Sequence, residues 1–404
     1  MTPSHEISLP RGLAALVLAV GVGCAMHVGK LPVAIPVLRA ELSFSLVQAA
    51  FLVSLVQLAG MSLGLVVGLA ADRIGVQRVM LAGLLLLAAG SVWGAWAPNV
   101  HHLLSSRVIE GMGFLMAVLP APGLLRLHLK DAATLSRALG WWGTYMPLGT
   151  ALALLLGIPV LQMVGWRVAW VLLAGVSALS AGMLLIGVPK SDQRTHATSI
   201  ALLPRLRRTL RAPGPWCVAG AFFLYSGQWL AVIGFLPTIY SEAGVQGAAL
   251  AALTALAALI NAAGNVQAGR YLARGVRPGA VLTGAFAAMA LSALVTFGAE
   301  GHPFWQYLAV LIFSGVGGLI PGTLFGVAVA LAPDNDTVST TVGWMQQLSA
   351  LGQFLGPPAV AWLATGLGGW HGTWVLTGAC SVLGMLMAAR LQREWCLRVS
   401  FQKV

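Results

Sequence analysis

Long apolar stretches separated by short polar punctuation run the length of the chain. Stretches of apolar and small residues occupy 13–38, 46–71, 79–97, 103–125, 138–163 and 168–188. After a polar segment from Lys190 to Arg211, a second series occupies 215–240, 248–269, 279–298, 304–332, 342–365 and 371–389. At about 1.5 Å of rise per residue, a helix of roughly 20 such residues crosses a hydrocarbon core about 30 Å thick. The pattern predicts an all-α membrane protein of twelve transmembrane helices in two sets of six. The domains expected are 1–189, a linker at 190–211, and 212–404. The first stretch is too long for a signal-peptide core and no small-residue cleavage site ends it, so it is read as a retained first helix.

The two sets resemble one another. Gly165, Trp166, Arg167, Trp170, Val171 and Leu172 recur at a constant offset as Gly369, Trp370, His371, Trp374, Val375 and Leu376. Gly111, Gly113 and Pro120 in the fourth stretch are echoed by Gly315, Gly317 and Pro321 in the tenth. Parallel six-helix repeats with a site between them, near the membrane midplane, are a transporter architecture.

Composition agrees with a lipid environment. Only 8% of residues are Asp, Glu, Lys or Arg, 58% are hydrophobic and the mean hydropathy is +0.86. Soluble domains carry about a quarter charged residues, so a soluble globule and a disordered chain are both excluded. The formal net charge of +12 raises the question of nucleic acid, which the positions of the cations answer. With a cytoplasmic N-terminus, every Lys and Arg except Lys30, Arg39, Arg107 and Arg167 falls in a cytoplasmic segment. That is the positive-inside bias. It predicts an inner-membrane protein with both termini cytoplasmic, in contact with the bilayer and not with nucleic acid. The linker, with Leu202, Leu203, Leu206 and Leu210 among four arginines, is read as lying partly on the inner leaflet.

Cys24, Cys217, Cys380 and Cys396 have neither metal-ligand nor paired spacing, and no metal or cofactor is expected. No HExxH, GxSxG or Walker sequence is present, which disfavours an intramembrane enzyme. Without a P-loop, transport would draw on ion or solute gradients.

The second stretch ends in Gly60, Gly64, Gly68 and Asp72, a stripe at four-residue spacing, followed by Arg73, Gly75 and Arg78. This segment resembles the loop between helices 2 and 3 of the major facilitator superfamily, although Val76 and Gln77 stand where the family has basic residues. Arg107-Val-Ile-Glu110-Gly111 resembles the Arg-x-x-Gln-Gly segment of proton-linked members, with glutamate in place of glutamine. Gly143, Pro147, Gly149 and Gly157 match the family's antiporter pattern poorly, which disfavours drug/proton antiport. Gly29 to Pro32 and Trp229 to Tyr240 are similar to the cyanate and nitroimidazole permease branch. The resemblance implies two six-helix bundles rocking about a central site. It also implies a gate formed by Gly68, Asp72, Arg73, Gly75 and Arg78, with Asp72 holding the positive start of helix 11 and reaching Arg126.

Ionisable residues inside membrane helices are costly and mark candidate sites. Lys30 and His27 lie one turn apart on helix 1, and Arg107 and Glu110 one turn apart on helix 4. Snorkelling is the competing reading of Arg107, and hydrogen-bonded packing that of His27. The second half offers Tyr225, Gln228 and Trp229, then Asn261 and Asn265, then Gln346 and Gln353, which would read a solute's polar edges or hold helices together. The function expected is proton-coupled uptake of a small anionic or polar solute by a monomeric carrier. Lys30, His27 and Arg107 would bind the anion, and Glu110, with His27, would carry the proton. Export of amphipathic drugs or metabolites, and a non-transporting receptor or scaffold, are the alternatives.

Overall fold

The structure, a computed structural model, describes residues 9–188, 202–299 and 301–401. Helix α1 is Leu9–Leu42. Helix α2 is assembled from Leu46–Ser54, a 3-10 turn Leu55–Gln57, and Leu58–Ile74. Helix α3 is Val76–Ala95, and α4 runs through Val100–Val118 and, past Pro120, Ala121–His128. Helix α5 begins as Ala132–Trp142 and resumes at Tyr145, and α6 ends at Gly187. A linker helix, Leu202–Arg211, leads to α7 (Pro213–Glu242), α8 (Gly247–Ala273) and α9 (Pro278–Gly298). Helix α10 is Pro303–Gly317 continued by Leu319–Leu331, α11 is Val338–Leu367 and α12 is Thr373–Phe401.

Ten helical stretches are long and apolar enough to cross a membrane on length and composition alone. Twelve crossings result for two physical reasons. The stretch Arg137–Gly187 is really α5 and α6, parted where Gly165 takes φ 74, a left-handed conformation that an L side chain resists. Helix α11 is diluted by Thr340, Thr341, Gln346, Gln347, Ser349 and Gln353 and falls short on hydropathy, yet spans as far as its neighbours.

The internal repeat is visible in contacts. Trp166 Nε1 donates to Glu41 Oε2 at 2.6 Å, and Trp370 Nε1 donates to Glu242 Oε2 at 2.8 Å. Each bond ties the last helix of a half to the end of its first. At the opposite face, Asp131 accepts from the Thr134 amide at the start of α5, and Asp334 accepts from the Thr337 amide just before α11. Both are N-caps, which satisfy amides that the first turn of a helix leaves without partners.

The halves touch through α1 with α7, α2 with α11, and α8 with the α5–α6 stretch. Gln57 Nε2 donates to Gln353 Oε1 at 3.0 Å, Gln347 Nε2 donates to the Met61 carbonyl at 2.8 Å, and the rings of Phe51 and Phe354 lie 6.2 Å apart. Further along α2 the contact ends. Of the glycine stripe only Gly60 packs closely: a Cβ there would sit 3.0 Å from Ala350 Cβ, whereas Gly64, Gly68 and Gly343 have nothing within 4 Å. A cavity of about 770 Å³ lies between Trp141, Thr144 and Leu148 on one side and Gln267, Arg270 and Tyr271 on the other. The halves therefore meet at the end bearing the tryptophan–glutamate bonds and part at the end bearing the linker helix.

The gate residues lie at the parted end. Gly75 has φ 107, which ends α2 and turns the chain into α3; Arg73, Arg78 and Arg126 are exposed. The side chain of Asp72 lies outside the described residues, as do that of Arg11, the boundary at 189–190, and Lys190, Arg194 and Lys403. Just before α11, Asp334 caps Thr337 and pairs with Arg208 of the linker helix at 2.6 Å.

Candidate functional site

Inside the first half, charge has been brought together at considerable cost. Glu110 and Arg107 lie one turn apart on α4 and are both fully buried; His27 and Lys30 lie one turn apart on α1, at 0% and 5% exposure. Gly90 lets α4 approach α3 here, since a Cβ there would fall 2.9 Å from the Glu110 amide nitrogen and 3.0 Å from its Cγ. Glu110 Oε1 pairs with Lys30 Nζ, and Glu110 Oε2 pairs with Arg107 Nη1. His27 Nδ1 stands 3.5 Å from Oε1, while His27 Nε2 is 2.8 Å from Ser177 Oγ.

The surroundings complete the satisfaction of these groups. Lys30 Nζ donates to Ser91 Oγ at 2.9 Å and lies 4.6 Å from the Trp170 ring centroid; Ser91 Oγ in turn donates to the Trp170 carbonyl at 2.9 Å. Arg107 Nε donates to the Leu52 carbonyl at 3.1 Å, just before α2 tightens into its 3-10 turn, where the regular helical ladder is interrupted. Its Nη1 also donates to the His27 carbonyl at 3.0 Å. Arg107 Nη2 is buried with no partner among the described residues. One carboxylate thus faces both Lys30 and Arg107, and one guanidinium donor is left over. An orphaned buried donor costs about 1–3 kcal/mol, more on a charged group, so an arriving acceptor has something to gain.

The second half holds a neutral cluster. Trp229 Nε1 donates to Ser314 Oγ at 3.0 Å; Asn261 Nδ2 donates to Tyr225 Oη at 2.8 Å and to the Ser314 carbonyl at 2.7 Å; Asn265 Nδ2 donates to Asn261 Oδ1 at 3.1 Å. Gln228 is engaged elsewhere, accepting from Ser381 Oγ of α12 at 3.1 Å. Gln353 spans to Gln57 and donates to Ser349 Oγ at 3.3 Å, and Gln346 is half-buried. So most of the candidate binding residues fall into three places, with Gln228 apart against α12: the charged cluster on α1 and α4, the neutral one on α7, α8 and α10, and the α2–α11 seam. No hydrogen bond among the described residues joins the first two.

Ser91, Ser177, Ser314, Gln57 and Gln347 were not singled out from the sequence. Ser314 had a signal, since it stands at the position matching Glu110 under the offset that relates Gly111 to Gly315. Among the described residues no group of His, Cys, Asp and Glu could hold a metal ion.

The chain matches the family model of the Major Facilitator Superfamily over residues 13–348 and 218–394. It is 27% identical to monocarboxylate transporter 11 of Homo sapiens, over 80% of this chain and 70% of that one. It is 26% identical to the gentisate transporter of Corynebacterium glutamicum, over 83% and 77%, and 25% identical to the 2-nitroimidazole transporter of Escherichia coli, over 87% of each. A bacterial homologue of the human lysosomal transporter Spinster, solved inward-facing and unoccupied, superposes with a TM-score of 0.75 at 17% identity, covering 98% of this chain and 99% of that one.

Proposed function

The chain belongs to the major facilitator superfamily, a family of membrane carriers that are not enzymes, and on that premise we propose that it moves a small organic anion, a carboxylate, together with a proton. The observation that carries this reading is the cluster around Glu110: two cations against one carboxylate, fully buried, with Arg107 Nη2 unpartnered. A carboxylate substrate would supply the acceptor that Nη2 lacks and would compete with Glu110 for Lys30. Glu110, buried and with its compensation weakened, would then take up a proton, because a desolvated, poorly paired carboxylate favours its neutral form. His27, between Glu110 and Ser177, would pass that proton. Two relatives are named for carboxylates, which supports the class of solute.

The cluster is closed to solvent in this conformation, so loading requires the halves to rock. Their contact at one end and separation at the other supports alternation about a central region. The proposed orientation puts the parted end, with the linker and its arginines, on the cytoplasmic side of an inner membrane, and the proposed unit is the monomer. Cysteine labelling at positions 205 and 274 checks the orientation: both should react only from the cytoplasmic side. Export of amphipathic solutes is the second reading, favoured by the largely apolar cavity between α5 and α8. A substrate screen in proteoliposomes separates the two. Uptake of small carboxylates, stimulated by an inward proton gradient, is expected; preference for organic cations contradicts the anion reading.

A further inference from the structure

Outside both polar clusters, a groove opens among α7, α11 and α12 with a volume of about 690 Å³. Its deep walls are Gly220, Phe223, Leu348, Leu351 and Met387. Its mouth is formed by Trp216 with Arg390, Arg393 and Glu394. From Pro213 to Phe223 along α7 is ten residues, about 15 Å at 1.5 Å per residue. That is half of a hydrocarbon core about 30 Å thick, the depth of one leaflet.

The polar end fits the edge of that leaflet. Trp216 Nε1 donates to the Leu210 carbonyl at 2.8 Å and its ring meets that of Trp344 at 4.9 Å, so the indole is fixed where the linker helix joins α7. Indoles favour the membrane interface. Arg390 and Arg393 are one turn apart on α12 and exposed, and among the described residues neither makes an ion pair or hydrogen bond. Glu394 offsets one of them and leaves the mouth with an excess positive charge.

We infer that this groove is a binding site for one anionic phospholipid, with an acyl chain along Gly220, Phe223, Leu348, Leu351 and Met387 and the headgroup phosphate between Arg390 and Arg393. Charge selects the headgroup, and the apolar track, one leaflet deep, selects a lipid over a soluble phosphate. The site is independent of the Glu110 cluster and stands whatever solute the carrier moves.

Native mass spectrometry of the full-length protein, exposed to mixed micelles with equal phosphatidylglycerol and phosphatidylcholine, tests it. The wild-type protein should retain one phosphatidylglycerol in preference to phosphatidylcholine. Arg390→Gln with Arg393→Gln should weaken that binding roughly tenfold or more, the loss expected for two cations at a membrane surface. Gly220→Leu keeps both arginines but fills the track; a Cβ at Gly220 meets only the flexible Met387, with Sδ at 3.4 Å, so the fold tolerates it. It should lose the lipid as well. Inorganic phosphate should not displace it. The inference is overturned if both variants retain phosphatidylglycerol at the wild-type level, if the wild type holds phosphatidylcholine equally well, or if phosphate alone competes.

Discussion

At matching positions of the two halves stand Glu110 and Ser314, and almost everything that distinguishes the halves follows from that pair. Around Glu110 gather Lys30, Arg107 and His27; around Ser314 gather Trp229, Asn261 and Tyr225. Both clusters tie the first and fourth helices of their half together, and both are buried. The neutral one needs only hydrogen bonds, each worth about 1 kcal/mol net. The charged one has lost the hydration of three or four ionisable groups and holds only because they compensate one another. The ends of the halves remain alike, with Trp166–Glu41 matching Trp370–Glu242. The ends repeat, while the centre of one copy buries charge and the centre of the other does not.

The most damaging way to test this difference is to make the second half imitate the first. Ser314→Glu would bury a carboxylate among neutral donors, and a loss of several kcal/mol is expected, read as a collapse in the yield of folded protein. A variant as stable as the wild type would show that the second cluster can host charge after all. Next in size, Lys30→Met strips Glu110 of one cation and should cost about 3 kcal/mol, against about 1 kcal/mol for Trp229→Phe, which removes one neutral bond. Thermal unfolding in detergent measures both; equal losses would erase the asymmetry.

How much of this was legible in the sequence depended on what each residue's type already discloses. Twelve spans were legible because long apolar runs broken by charge or by Pro/Gly clusters mark crossings: the Gly157-Ile158-Pro159 and Gly165 region separates α5 from α6, and α11 has the length of a span despite its threonines and glutamines. Glu110, Lys30 and Arg107 stood out because charge inside a span is rare. Ser91, Ser177 and Ser314 were not, because serine is also an ordinary small residue of close-packed helix interfaces. The destination of Gln228 was hidden for another reason: spacing fixes which residues share a face of α7 but not how α7 is rotated, and here that face meets Ser381 of α12. The open part of the Gly60–Gly68 stripe depends on which conformation the halves adopt, which no local pattern records.

Smaller effects probe the ends. Trp166→Phe and Trp370→Phe each remove one bond to a glutamate at the rim, and each should cost about 0.5–1.5 kcal/mol. A loss of 3 kcal/mol at one site and none at the other would mean the ends are not equivalent. Asp72→Asn should leave stability unchanged and shift the balance toward the form parted at the linker end. Spectroscopic distances between α2 and α11 report this, and an unchanged distribution would remove Asp72 from the gate.

In the proposed mechanism the charged centre of the first half couples a proton to an anion through Glu110. Its most direct test is transport by Glu110→Gln in proteoliposomes, comparing accumulation driven by an inward proton gradient with exchange of the same carboxylate at equal pH. The variant should exchange substrate but no longer accumulate it. Accumulation at the wild-type level, with the wild-type pH dependence, would contradict it and leave the cluster as the clasp that holds α1 to α4.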